Sequence, residues 1–239
     1  MEPASPYIHK DPSRIRQMFG LIARRYDLNN HLHSLWMDQL WRRAAVKSAG
    51  VTGDSHVLDV ACGTGDLTGM LARQRPKRLV GLDFCNEMLD VGRRKFASRK
   101  IEWIQGDALN LPLADATFDI ATVAFGLRNM PDQLAALRQM HRILRPGGRL
   151  VVLEFTPIRR GAMLGLLEFY LSRVMPRTAG WISGDRTGAY KYLFESSAKY
   201  LTASQQAEQI AAAGFAVGST RRLSLGIAAL HVAARCPSG

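Results

Sequence analysis

From Val57 to the end of the chain, short apolar runs alternate with amphipathic stretches of helical period. Val57–Ala61, Arg78–Asp83, Ile101–Gln105, Phe118–Ala124 and Arg149–Phe155 read as buried strands. The segments Leu67–Arg75, Glu87–Ala97 and Gln133–Leu144 between them carry apolar residues three and four apart. That alternation predicts a doubly wound, mostly parallel α/β sheet with helices on both faces. Two further strands, Phe215–Leu223 and Ile227–Arg235, are joined so tightly that they predict an antiparallel C-terminal hairpin, for seven strands in all. Ahead of the sheet the pattern is helical only. Asp11-Pro12 is a helix start, with Ile15, Met18, Phe19, Ile22 and Tyr26 on one face, and a second helix runs from about Trp36 to Ala49 and stops at Gly50. After Pro157 comes a segment apolar on most sides, Met163 to Met175, then a loop with Gly180, Gly184 and Gly188 and a helix around Tyr190–Lys199. Thr202 caps a last helix, Ala203–Ala213, closed by Gly214. The expected organisation is one domain over residues 1–239: an N-terminal helical cap (1–50), a core (51–156), a helical insertion (157–200) and a C-terminal helix and hairpin (201–239).

At 239 residues, 47% of them hydrophobic, the chain is long enough to bury a sizeable core. No apolar run is long enough to span a bilayer, and the first residues lack the apolar centre of a secretory signal. Three cysteines without metal-ligand spacing point to a reducing compartment. The expected location is therefore the cytoplasm. The net charge of +12 suits nucleic acid, an anionic membrane surface, an acidic substrate, or solvent alone. Aromatic residues do not alternate with the basic groups as a stacking platform for bases requires, so nucleic acid is not the expected partner.

Candidate chemistry centres on Val57 to Thr68, where a strand runs into Gly63-Thr64-Gly65 and a helix begins at Asp66. Such a turn brings backbone close to a nucleotide-like ligand. A dinucleotide fingerprint asks for a small residue where Thr68 stands, and Asp66 competes with a phosphate for the helix N-terminus. With Asp59 late in the strand, the loop suits a cationic nucleoside; S-adenosyl-L-methionine carries both an ammonium and a sulfonium. Asp83, ending the second strand, is placed to take a ribose hydroxyl pair or to cap the next helix. Asp107 after the third strand could accept from an adenine amino group, with Ala108 admitting the ring, or be a plain turn residue. Asp119 reads as structural.

Together these segments resemble the class I S-adenosylmethionine-dependent methyltransferases. More narrowly, they resemble the C-methyltransferases of ubiquinone and menaquinone biosynthesis. The closer match rests on Tyr26-Asp27-x-x-Asn30 with Ser34 and Trp41-Arg42-Arg43, and on Phe125-Gly126-Leu127-Arg128-Asn129. It rests also on Arg145-Pro146-Gly147-Gly148-Arg149-Leu150 with Leu153-Glu154-Phe155, and on Tyr190-x-Tyr192-Leu193-x-Glu195-Ser196 with Gly226 to His231. The resemblance implies cofactor contacts at Thr64, Asp83, Asp107 with Ala108, and Ala124, where the family often has serine. It implies methylation of a ring carbon of a lipophilic, polyprenylated quinol. Asn30-His31 and Arg42-Arg43 lean toward demethylmenaquinol; a methoxy-benzoquinol, or another small-molecule acceptor, is the alternative.

On that resemblance Arg128 is expected to bind the developing oxyanion, with a structural salt bridge as the competing reading. Asn129 would orient the ring oxygens or cap a helix, and Tyr26 would close over the site or pack in the core. Asn30, His31 and His231 are candidate substrate contacts, and His31, His33 and His231 candidate bases. The Met163–Met175 segment and the first helix would line a groove for the prenyl tail, and the basic groups would favour peripheral contact with an anionic membrane. A homodimer, or a complex with other quinone-biosynthesis enzymes, is compatible with the family.

Overall fold

A computed structural model describes residues 11–157 and 189–236. The expected Met163–Met175 helix, the Gly180–Gly188 loop and residues 1–10 lie outside the described residues.

Seven strands form one sheet: β1 (His56–Val60), β2 (Arg78–Asp83), β3 (Glu102–Gln105), β4 (Phe118–Ala124), β5 (Leu144–Phe155), β6 (Phe215–Leu223) and β7 (Ala228–Arg235), in the order β3-β2-β1-β4-β5-β7-β6. β1 pairs in parallel with both β2 and β4, while β7 runs antiparallel to β5 and β6 and is the one reversed strand. The strand order reverses between β1 and β4, so their carboxyl ends flank a crevice, the place where open α/β sheets bind ligands.

β5 begins earlier than Arg149. Leu144 pairs with Phe118, and the Arg145–Gly148 turn is then looped out before the ladder resumes at Ile120 and Arg149. Asp119 holds this irregularity in place by accepting from the His56 backbone N–H (2.8 Å) and from Arg145 (2.6 Å), as a structural aspartate should.

The helices are α1 (Pro12–Ile22), α2 (Tyr26–His33), α3 (Met37–Ala49), α4 (Asp66–Ala72), α5 (Asn86–Lys95), α6 (Gln133–Ile143), α7 (Ala189–Ala198) and α8 (Ala203–Ala212). Asp11 caps α1 through Ser13 N, and Thr202 forms a reciprocal capping box with Gln205 on α8. One cap apolar core packs Ile15, Met18 and Ile22 of α1 against Cys85 and Met88 at α5. Each such side chain contributes about 1.5–3 kcal/mol on burial, which fastens the cap to the sheet. The first helix does not run through Tyr26 as its apolar face suggested. It ends at Ile22, and a 3-10 turn over Ala23–Arg25 starts a new helix at Tyr26. Three residues per turn instead of 3.6 shifts the phase, and Tyr26 comes onto the wall of the crevice.

Candidate active site

A cavity of about 410 Å³ lies over the carboxyl ends of β1, β2 and β4, within the size range of small-molecule sites. One part of its wall is the glycine turn with Asp59, Asp83, Phe84 and the Gly106–Leu109 loop. The other is Ala124 to Gly126, Asn129 and Met130, with Pro12, Ile15, Phe19 and Tyr26 closing over from the cap.

The glycine turn is locally enforced. Gly65 has φ +83°, and a β-carbon there would stand 2.5 Å from the Trp103 ring, so both conformation and space require glycine. Ala61 at the end of β1 and Phe125 at the end of β4 also adopt positive φ, 52° and 59°. Backbone of this kind in non-glycine residues costs about 1–3 kcal/mol each and persists where the surroundings dictate it. A β-carbon on Gly126 would meet the Ala61 β-carbon at 2.6 Å, so the two strained strand ends touch, and the wall between them is backbone.

The acidic groups differ in their engagement. Asp83 accepts from Gly63 N (2.8 Å) with one oxygen and Cys85 N (2.9 Å) with the other, so it braces the turn and caps α5 at once. Burial pushes its carboxyl up to about 6 against the pull of the Cys85, Gly63 and Phe84 N–H groups. Asp59, 1% exposed, is likewise pushed by burial to about 6 although Thr68 and Thr122 both donate to it. Burial also works to raise Asp66, but Arg42 and Lys95 outweigh it and hold that carboxyl below its usual value. Asp66 is thus already paired, and the loop is less anionic than the sequence suggests. Asp107 spends one oxygen on Leu109 N (2.9 Å), forming a turn, and still lines the cavity beside buried Ala108.

Lys95 bridges Asp66 and Asp27, and the Thr64 hydroxyl donates to Asp27. The cap is therefore latched to the glycine turn through Asp27, which in the sequence stands out only as part of a motif. His31 sits between Asp38 (2.9 Å) and Asp66 (3.5 Å). These three could gather ligand atoms within 4.8 Å, but Arg42 and Lys95 already neutralise the two carboxylates.

Of the expected site residues, Tyr26, Asp59, Gly63, Thr64, Asp83, Asp107, Ala108, Ala124 and Asn129 line the cavity. Gly65 supports the turn from behind. Asn30 and His31 stand in the cap beside the site but off its wall.

Two expected residues are elsewhere. Arg128 is 3% exposed, and its guanidinium donates to Glu154 (2.8 Å) and to Phe125 O (2.6 Å). This is the salt-bridge reading, and the guanidinium is absent from the cavity wall. His231 is fully buried in β7 between Thr220 (3.0 Å) and Gln206 (3.1 Å), and burial lowers its imidazole to about 4. It is neutral at physiological pH and off the cavity wall, so it is placed neither as base nor as substrate contact.

The described residues add Tyr192, whose hydroxyl donates to Asn129 Oδ1 (3.2 Å). With that oxygen engaged, the Asn129 amide nitrogen donates to the Phe125 carbonyl (3.5 Å) and the residue lines the cavity. Tyr26 is a phenol raised by burial, with Arg128, Asn30 and Arg42 opposing. It therefore keeps its proton and can donate.

The residues present fit S-adenosylmethionine. A buried acceptor sits beside a glycine turn, small Ala108 stands at one end, and Gly63 has positive φ with open space where a side chain would begin.

The sequence profile of the ubiE/COQ5 methyltransferase family matches residues 8–235. A demethylmenaquinone methyltransferase of Thermus thermophilus is 45% identical over 91% of this chain and 100% of its own length. A ubiquinone/menaquinone biosynthesis C-methyltransferase UbiE of a Geobacter species is 44% identical over 77% of this chain and 80% of its own. Among solved structures, an S-adenosylmethionine-dependent methyltransferase from Thermotoga maritima superposes with a TM-score of 0.65. It covers 92% of this chain and 99% of its own at 19% identity, a likeness of fold.

Proposed function

The chain belongs to the ubiE/COQ5 methyltransferase family, and from that premise we propose that it methylates a ring carbon of a polyprenylated quinol, demethylmenaquinol first among them. The observation that carries the reading is that one cavity spans both walls. It joins a nucleoside wall around Asp83 to an acceptor wall at Asn129, Tyr26 and the Phe125-Gly126 backbone. S-adenosylmethionine, when bound, supplies an electrophilic methyl group. The chain's own residues bind, orient and polarise. Asp83 is the buried acceptor for a ribose hydroxyl pair, and Asp107 with Ala108 bounds the base. Asn129, held by Tyr192, and Tyr26 present neutral donors to a ring oxygen. Donors aimed at an oxygen that gains negative charge favour the quinolate, whose charge reaches the adjacent ring carbon. The cap residues Ile15 and Phe19 exclude water over the ring, which strengthens those hydrogen bonds.

The demethylmenaquinol choice follows the names of relatives that match over nearly their whole length. The benzoquinol alternative is carried by the relatives named for both quinones. Incubating the protein with methyl-labelled S-adenosylmethionine and each reduced demethyl-quinone, then reading products by mass spectrometry, tests both. Label in neither quinol refutes the function. A strain lacking the gene should accumulate the demethyl form of the true substrate.

The same reading extends to peripheral membrane contact. No helix among the described residues is long and apolar enough to cross a membrane. Leu35 and Trp36, 75% and 53% exposed, form an apolar tip between α2 and α3 beside the exposed Leu28 and Leu40. Co-sedimentation with anionic vesicles should fall on Leu35→Asp with Trp36→Asp; binding unchanged by that pair, or by lipid charge, removes the membrane part.

A further inference from the structure

Arg42 is the conspicuous charge on the cavity wall that the reaction as described does not use. It sits on α3 in the cap and is 7% exposed. Its one hydrogen bond among the described residues runs from Nη1 to Asp38 Oδ2, at 2.6 Å. Its Nε is buried with no partner among them. The guanidinium lies over the Phe125 ring, 5.1 Å from the centroid, and its charge is felt by Asp59, Asp66 and Tyr26. A buried guanidinium with an unused N–H is costly unless something completes it.

Position decides what that is. Asp83 fixes the ribose, and Asp107 with Ala108 lies on the base side of it. The remaining end of the nucleoside wall is Asp59, Ala61, Asp66, Leu67 and Arg42. An S-adenosyl amino acid seated on Asp83 must lay its amino-acid tail there. Of the other cations near the site, Lys95 is engaged by Asp27 and Asp66, Arg128 pairs with Glu154, and both are off the wall. Arg16 lines the cavity from α1, where it is exposed, and its charge is felt at Glu87 rather than at the glycine turn.

We propose that Arg42 is the carboxylate clamp of the methyl donor: its unused N–H groups grip the α-carboxylate of the amino-acid tail while Asp38 holds the guanidinium from behind. The inference rests on the reading of the cavity as an S-adenosylmethionine site. It gives the cap a direct part in donor binding, because α3 then closes on the ligand itself. Arginine suits the task, since its planar fork matches a carboxylate and cannot lose its charge.

Calorimetry with two thioethers tests it. S-adenosylhomocysteine carries the amino-acid tail, and 5′-methylthioadenosine lacks it. Arg42→Met should bind S-adenosylhomocysteine about 10- to 100-fold more weakly, the scale of a charge-assisted hydrogen bond, and methylthioadenosine within about 2-fold of the wild type. In the wild type, decarboxylated S-adenosylmethionine, which keeps the ammonium and the sulfonium, should bind more weakly than the intact donor by a similar factor. Arg42→Lys should fall between Arg42→Met and the wild type. Unchanged S-adenosylhomocysteine affinity in Arg42→Met, or equal loss of both thioethers, overturns the clamp. Should Arg42→Met not fold, equal binding of the decarboxylated and intact donors by the wild type overturns it as well. A wild type that binds neither thioether instead refutes the cofactor reading beneath it.

Discussion

Replacing Arg128 separates a structural role from a catalytic one. Glu154 is fully buried and receives the Arg128 guanidinium at 2.8 Å, the Arg128 backbone N–H at 3.1 Å and the Phe155 backbone N–H at 2.8 Å. In Arg128→Met two backbone donors remain, but the carboxylate loses its counter-charge and Phe125 O loses its 2.6 Å donor. Breaking a buried pair from one side costs about 3–5 kcal/mol. Coulomb's law gives a similar scale, about 4 kcal/mol for unit charges roughly 4 Å apart at an effective dielectric near 20. The Phe125 strain is then no longer held from below, and the acceptor wall should loosen with it. Urea denaturation of the apoprotein should show that loss, and pairing Arg128→Met with Glu154→Leu should recover most of it, because no uncompensated charge remains. Activity in the double variant should return in part, in step with stability. Arg128→Met that is as stable as the wild type yet inactive, with no recovery in the pair, would refute the structural role and restore the guanidinium as the oxyanion partner.

Other outcomes follow from the same geometry. Asp83 has a folded pKa of about 6, above its unfolded value of 3.8, so its contribution to stability is present at low pH and is lost as pH rises through about 6. Apoprotein Asp83→Asn should therefore gain stability relative to the wild type above pH 6 and not below 4, read by thermal melts. Because hydroxyl donors favour the ionised carboxylate, donor affinity should weaken as pH falls below about 6 in the wild type and stay flat in Asp83→Asn. His231, depressed to about 4 from 6.5, has the opposite sign: its contribution is present above 6.5 and lost as pH falls toward 4. His231→Gln should cost about 1–3 kcal/mol and leave the pH–rate profile unmoved; a shifted profile would return it to the chemistry. Tyr192→Phe should lower kcat about 3- to 10-fold at unchanged donor affinity, as loss of one neutral hydrogen bond implies, and should add nothing to Asn129→Ala. Additivity between the two would show that Tyr192 does not act through Asn129.

The half of the cavity wall built on the glycine turn was legible because its residues are local in sequence. Strand, glycine turn and helix stand within twelve residues, Asp83 ends the apolar run of β2, and Asp107 follows β3 by two residues. The sheet, the hairpin and the Asp11 and Thr202 caps follow from period and capping chemistry for the same reason. The acceptor half depends on contacts between segments far apart in the chain. Asn129 is oriented by Tyr192 from beyond the insertion, and Thr64 bonds Asp27 across the cap. Neither contact leaves a periodic trace.

The two arginines make the physical reason concrete. Arg128 stands just past the carboxyl end of β4, where ligands bind, so position alone commends it as the free cation. Its fate is set by register: Ala124 pairs with Leu153, which puts Glu154 alongside the turn that follows β4. That buried acid and the Phe125 carbonyl hold the guanidinium off the cavity wall. Arg42 is a helix residue 21 positions ahead of Gly63, marked in the sequence only as part of the Trp41-Arg42-Arg43 motif. It reaches the cavity because Trp41 anchors α3 against Phe125 and Phe155 and through a bond to Ser224 (2.8 Å). That leaves Arg42 facing Asp59 and the glycine turn, with Asp38 one helical turn back as its support. Each arginine is held by a buried acid, Asp38 or Glu154, and what separates them is that Arg42 lines the cavity and Arg128 does not. Moving Glu154 by one residue along β5 would turn its side chain to the other face of the sheet and take from Arg128 the acid that holds it away from the cavity.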